Sequence, residues 1–307
     1  MTMDRTNIDV LWVMLQQEHK TYQIMRQNKD CICCDLSQHE ESANCRYNIV
    51  DWCYRMIDFC NLNRETVAIA MNFVDRFIVT KQGQSYRINN TLYQLVAVTA
   101  LYTAVKIHEV QSIDLQSLSN VSKGIYSLKQ IEEVEREIVD ALQWRMNPPT
   151  AMSFVRGLVE LIPYHSKASA KVKESILKLV RVQTEYAVFD QELIHCKMST
   201  IGYCSLINAL NTVIQDHAML KHLRYMLAQK LQFQISDKHE LTQVQAKLYL
   251  LLSNHQKKNS ECNGTNQLIR IFPQYVVEPD DESDIPPICP CVLHHATESP
   301  MSSASMV

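Results

Sequence analysis

Glycine is scarce in this chain, with five among 307 residues, at Gly83, Gly124, Gly157, Gly202 and Gly264. Glycine supplies the positive-φ positions of tight turns and phosphate-cradling loops. Its scarcity therefore argues against β-rich and nucleotide-binding folds and in favour of helices. Long apolar runs are lacking too. The longest, Leu95 to Ala104, is far shorter than the ~20 residues of a membrane-spanning helix, so it reads as a buried central helix and no membrane partner is expected. Met1 to Asp9 carries Asp4, Arg5 and Asp9 without an apolar core, which is not the pattern of a secretory leader. The eleven cysteines are accordingly expected in a reducing compartment, where disulfides rarely persist. A formal net charge of −3 offers no polyanion-binding surface, and no nucleic-acid partner is expected. No Gly-rich phosphate loop, His-Arg-Asp, Asp-Phe-Gly or His-Glu-x-x-His pattern occurs. The chain is expected to be no enzyme, with no catalytic residues and no cofactor.

What is present is an apolar fraction of 46% with 21% charged residues, the composition of a globular protein long enough for two domains. Ile8 to Arg26 reads as a first helix, and Asn28 to Asn44 as a polar connector. From Cys45 to Pro149 five helical patterns follow one another. The first carries Ile49, Trp52, Cys53, Met56, Ile57 and Cys60 at helical spacing, and the second carries Val67, Ala70, Met71, Val74, Phe77 and Ile78. Thr91 to Glu109 is apolar nearly all round, as a helix surrounded by other helices would be. Leu115 to Val121 is a short fourth element, and Ser127 to Leu142 a fifth, stopped by Pro148-Pro149. Several helical patterns then start over, at Ala151 to Leu161, Lys167 to Phe189, Ser199 to Ile214 and twice within His217 to Leu252, as a degenerate copy of the first half would. From Ser253 the chain turns polar and reads as a disordered tail, with Glu278 to Pro287 acidic and proline-rich. The boundaries are therefore 1–44, 45–149, 150–252 and 253–307, and the fold class is all-α.

Candidate metal and nucleophile clusters have simpler readings. Cys31, Cys33 and Cys34 with His39 and Cys45 lack the paired C-x₂-C spacing of a zinc site, and no metal is expected. Cys289 and Cys291 with His294 and His295 fall in the tail. His195-Cys196 are adjacent, and adjacent helical side chains point apart. Cys204 and the methionines fit core spacing and read as packing.

Arg46-Tyr-Asn-Ile-Val-Asp-Trp52, Thr66 to Phe77 ending Asn72-Phe-Val-Asp-Arg-Phe, Gln94-Leu to Lys106-Ile-His-Glu109, Lys129-Gln to Glu135 and Pro149-Thr150 stand in one order over roughly a hundred residues. Together these pieces resemble a cyclin box, and the second half resembles the family's C-terminal fold more weakly. The subtype is unassigned, between D-type-like and mitotic-like. The resemblance implies two tandem five-helix bundles, a location in nucleus and cytoplasm, and a regulatory subunit that binds and activates a cyclin-dependent protein kinase in cell-cycle control. It assigns Lys106 and Glu135 to hydrogen bonds with the kinase's mobile αC helix and the adjoining loop. It also assigns Ile107, Val139 and Met146 to packing against that helix, with Thr103 where a larger apolar residue is usual. Arg46 and Asp75 match a buried structural ion pair.

A substrate-docking groove for kinase substrates or inhibitors would use Cys45, Asn48, Ile49, Trp52 and Gln94. Arg55 stands where the family has a carboxylate that pairs with an arginine of the docking motif, so basic motifs are expected to dock poorly. Cys31-Ile-Cys-Cys-Asp35 is similar to the Leu-x-Cys-x-Glu motif of D-type cyclins, but wrong at both ends. The competing function is a transcription-associated adaptor or scaffold of the same fold without a cell-cycle role. The family's transcription-factor members use a strongly basic surface, which the net charge of −3 does not supply.

Overall fold

The computed structural model describes residues 3–27, 40–87, 90–114, 116, 125–162, 167–230 and 238–262. Within them lie ten α-helices and two short 3₁₀ turns. The helices are α1 (Met3–Gln27), α2 (Glu40–Phe59), α3 (Glu65–Ile78), α4 (Asn90–His108), α5 (Leu128–Ala141), α6 (Ala151–Val159), α7 (Lys167–Phe189), α8 (Met198–Val213), α9 (His217–Lys230) and α10 (Lys238–Cys262). The protein is all-α, with two bundles in tandem.

Each bundle surrounds one helix that is apolar on every side. In the first it is α4, whose residues from Gln94 to Val105 are all buried, packed against α2, α3 and α5. In the second it is α8, with α6, α7 and α10 around it. Local chemistry sets several starts. Ser127 Oγ accepts from the Gln130 amide and the Gln130 side chain accepts from the Ser127 amide, a reciprocal cap on α5. Thr150 caps α6 through the Ser153 amide at 3.0 Å, and Asp216 caps α9 through the Ala218 amide at 2.8 Å.

The N-terminal helix packs against the second bundle, where Leu11 and Leu15 join its core. Gly157 on α6 permits this approach, since a Cβ there would lie 2.7 Å from Leu11 Cδ2. Further along α1, Glu18 is 1% exposed and accepts hydrogen bonds from the Ser199 amide and hydroxyl. It thus satisfies a free N–H of α8, whose own N-cap residue, Lys197, makes no side-chain cap bond. Burial raises the Glu18 pKa, although the bonds from Ser199 oppose this.

The bundles meet through a polar and aromatic seam. Arg46 reaches from α2 to Asp75 on α3, at 2.6 and 3.1 Å, while its Nε donates to the Val188 carbonyl of α7 at 3.2 Å. Phe189 lies beside Tyr47, Tyr54 and Tyr186, with centroids 5.0, 5.6 and 6.1 Å away. Arg64 bonds Glu185 at 3.1 Å and sits 4.5 Å over the Tyr54 ring. Glu65 accepts from Thr150 and from Arg156 of the second bundle.

Two boundaries, the start of α2 and the end of α10, differ from the sequence expectation. α2 begins at Glu40 rather than after Asn44, because its first turns carry no apolar stripe for periodicity to detect. α5 ends at Ala141, within one residue of the expected Leu142 and well before Pro148. Gln143 and Trp144 take φ of 53° and 59°, and the Trp144 and Gln143 amides close onto the carbonyls of Val139 and Asp140. This Schellman turn ends the helix without proline or glycine. α10 continues through the expected tail start to Cys262, its end carrying Gln256, Lys257 and Lys258, good helix formers without an apolar face. The expected fourth element, the Cys31–His39 cluster and the Cys289–His295 cluster lie outside the described residues, apart from Gln116.

Candidate partner-binding site

The candidate kinase-facing residues come from α4, α5 and the segment after α5. Lys106 occupies the last turn of α4, where a cation also opposes the negative end of the helix dipole. Its Nζ lies 3.2 Å from both carboxylate oxygens of Glu135, on α5. The Lys106 side chain is 54% exposed and that of Glu135 only 17%. Thr103, one turn before Lys106, is buried; its hydroxyl donates to the Thr99 carbonyl at 2.9 Å and lies 3.4 Å from Glu135 Oε1. Tyr102 adds its ring 5.5 Å below the ammonium.

Around this pair stand exposed Ile107 and Val110 and half-buried Val139. Met146 is different. It is 6% exposed and belongs to the first core, and its carbonyl lies 2.8 Å from His108 Nε2. Its side chain supports the patch from beneath instead of facing outward. The tether keeps the segment after α5 against the end of α4. Glu109, the next residue, is turned to internal use: it accepts from the Asn63 amide at 3.1 Å and from the Thr66 hydroxyl, joining α4 to the start of α3.

Arg46 and Asp75 stand apart from this surface, with side chains 6% and 15% exposed. Burial disfavours the Arg46 charge, but Asp75 overcomes it and raises the guanidinium above its ordinary pKa. The link from Arg46 to Val188 had no signal in local spacing, because the two residues are distant in sequence and Val188 contributes only its backbone oxygen.

The expected docking groove is not an open groove. Ile49, Trp52 and Gln94 are each 2% exposed, inside the first core. Helical spacing puts Cys45, Ile49 and Trp52 on the same inward stripe of α2, and the Tyr126 hydroxyl bridges the Thr91 carbonyl and Gln94 Oε1 at 3.0 and 3.2 Å. Of the six residues named for the groove, Cys45, Ile49, Trp52 and Gln94 are buried and Asn48 and Arg55 half-buried, and the Arg55 Nε lies 3.0 Å from Asp51 one turn earlier. No group of three or more potential metal ligands occurs among the described residues, and no described helix is long and apolar enough to cross a membrane.

Residues 9–147 match the cyclin N-terminal domain, a span that starts within α1, upstream of Cys45. The chain is similar to G1/S-specific cyclin-E1 of Rattus norvegicus, 29% identical over 156 residues, covering 50% of this chain and 35% of the relative. It is also similar to cyclin-B2-2 of Oryza sativa subsp. indica, 24% identical over 205 residues, covering 66% of this chain and 48% of the relative. The match to these relatives thus spans less than half of their length. A solved viral cyclin from herpesvirus saimiri has the same fold, with TM-score 0.52, 14% identity, and coverage of 69% of this chain and 85% of that one. Residues 9–147 thus carry a cyclin N-terminal domain, and through it the chain is similar to members of the cyclin family. Its subtype stays unassigned, since the relatives carry names from different cyclin classes.

Proposed function

We propose that this protein is a non-enzymatic regulatory subunit that binds and activates a cyclin-dependent serine/threonine protein kinase in cell-cycle control, in nucleus and cytoplasm. The observation that carries the reading is the Lys106–Glu135 pair, bonded at 3.2 Å beside exposed Ile107 and half-buried Val139. An apolar stripe with a fixed cation and carboxylate at its edge suits an amphipathic helix laid across it. An active kinase needs the glutamate of its αC helix paired with the lysine of strand β3. A rigid surface that binds only the inward position of αC shifts that equilibrium by its differential affinity. Lys106 and Glu135 serve each other in the free protein, so a kinase need only exchange one set of hydrogen bonds for another, without desolvating an unpaired charge.

Ile107 and Val139 supply the apolar contact, with Met146 holding the surface from below. Substrates or inhibitors recruited by Ile49, Trp52, Arg55 and Gln94 are not part of this reading, since three of these residues are enclosed in the core. The test is co-purification of a kinase with the wild-type protein and with Lys106→Ala/Glu135→Ala. The wild type recovers kinase and the double variant loses it. A wild type that recovers none leaves the adaptor reading in its place.

A further inference from the structure

The second bundle carries a basic face on α9. One side of this helix buries Leu220, Leu223 and Leu227 in the second core. On another side His217, Lys221, Arg224 and Tyr225 stand at i, i+4, i+7 and i+8, and all four are exposed. The helix contains no aspartate or glutamate. Arg224 Nη2 donates to Asn211 Oδ1 of α8 at 2.6 Å, a neutral partner, and Lys221 forms no ion pair among the described residues. Asp216, just before the helix, is engaged by the Ala218 and Met219 amides at 2.8 and 3.2 Å. The lysines of α7 differ, since Lys173 pairs with Glu160, and Lys178 with Glu174 at 2.7 Å.

The complementary charge lies on the same chain. Residues 263–307 contain six carboxylates against one arginine, an excess larger than the whole chain's formal net charge of −3. Five of the six fall within Glu278–Asp284, with Ile285 and Pro286 next. The fold delivers this stretch to the correct end of the bundle. Cys204 Sγ lies 3.4 Å from the Leu241 carbonyl, and Asn208 Nδ2 donates to the Gln245 carbonyl at 3.0 Å. The constant offset makes α10 parallel to α8 and sets Leu250 level with Val213, where α8 ends. α9 begins only a few residues later, at His217, so its start lies at the end of the bundle where α10 finishes. Fifteen residues separate Cys262 from Glu278. That length spans about 20–23 Å as a random coil and at most about 50 Å extended. α9, with 14 residues, is about 21 Å long. The acidic stretch therefore reaches the basic face.

We propose that Glu278–Asp284 of this chain docks on the exposed face of α9, its carboxylates beside His217, Lys221 and Arg224, with Ile285 and Pro286 against the Tyr225 ring. Exposed ion pairs are individually weak. Tethering offsets this weakness, because a short linker holds the segment at an effective concentration on the order of millimolar. A free acidic partner has no such advantage and must displace the segment first. Docked there, the segment screens the basic face from other anions. The inference uses none of the residues assigned to the kinase, so the two readings stand or fall separately.

Zero-length carbodiimide coupling of the full chain, read by mass spectrometry, tests the contact, since it joins an amine only to a carboxylate touching it. Lys221 couples to a carboxylate of Glu278–Asp284, salt suppresses the product, and in a mixture of isotope-labelled and unlabelled chains the joined peptides carry one label. A second measurement uses a fluorescein-labelled peptide of residues 276–288 and fluorescence anisotropy. The peptide binds at least tenfold more tightly to the full chain carrying Glu278→Gln, Asp280→Asn, Asp281→Asn, Glu282→Gln and Asp284→Asn than to wild type, because the face is then vacant. Adding Lys221→Glu to that variant weakens the peptide at least tenfold. The amide replacements lie outside α9, so the first comparison does not rely on a charge reversal in the helix folding. Three results would overturn the proposal: no product at Lys221, products that join differently labelled chains as often as like ones, which would make a second copy the occupant, or equal peptide affinity with and without the tail carboxylates, which would leave the face open to a separate partner.

Discussion

Removing Asp75 should strand the Arg46 guanidinium inside the protein. Asp75→Ala deletes bonds of 2.6 and 3.1 Å from a guanidinium that is 6% exposed, and leaves it only the Val188 carbonyl and its neighbours on α4. Breaking a buried ion pair from one side costs about 3–5 kcal/mol. Set against a typical total of about 5–15 kcal/mol, that loss takes much of the first bundle's stability. For a domain of about 100 residues it corresponds to a fall of about 12–40 °C in Tm. Urea and thermal unfolding followed by circular dichroism measure it. Because Arg46 also holds α7, the seam around Phe189 should loosen at the same time, visible as faster hydrogen exchange near Val188. The double variant Arg46→Met/Asp75→Leu removes both charges and should recover most of the loss, as replacing a whole buried pair by apolar groups often does. An Asp75→Ala protein within 0.5 kcal/mol of wild type would refute the reasoning.

Other variants probe separate links. Ser127→Ala removes the hydroxyl half of the α5 cap, leaving the Ser127 amide to Gln130, and should cost about 1 kcal/mol in urea unfolding. Gln143→Gly relieves a left-handed backbone at φ 53° and should stabilise by about 0.5–1 kcal/mol; no gain would mean the turn is not strained. Glu18 has a folded-state pKa raised above its ordinary value by burial. Its carboxyl therefore favours the folded state fully below the unfolded pKa and loses that contribution as pH rises through the folded value. Docking of α1, read by hydrogen exchange of its amides, should weaken as pH rises through that window. Glu18→Gln, which can still accept from the Ser199 amide, should flatten the dependence, and an unchanged slope would count against Glu18 as its source.

How legible all this was depended on the range of each interaction. Helix positions followed from apolar spacing alone, and α7 matches its expected span because Val172, Ile176, Leu179 and Val180 repeat on one stripe. Ends were less readable. The polar turns opening α2 and closing α10 carry no stripe, and α5 stops at a left-handed turn of Gln143 and Trp144, which no glycine announces. Contacts between elements remote in sequence, such as Glu18 with Ser199 or Arg46 with Val188, leave no local pattern. Exposure was the other gap. Spacing places Ile49, Trp52 and Met146 on helix or loop faces, but only packing tells that all three are enclosed, while Trp144, whose spacing gave no reason to notice it, stands in solvent.

The central claim is that the Lys106–Glu135 surface recruits and activates a kinase. The direct measurement is protein-kinase activity, read as phosphate transfer from ATP to a protein substrate, in material captured from cell extract by tagged full-length protein. Wild type should recover activity, and Lys106→Ala/Glu135→Ala, unfolding at the same temperature within about 2 °C because both charges go together and neither is left unpaired, should recover at least tenfold less. Equal activity from both proteins, or none with the wild type, would contradict the account.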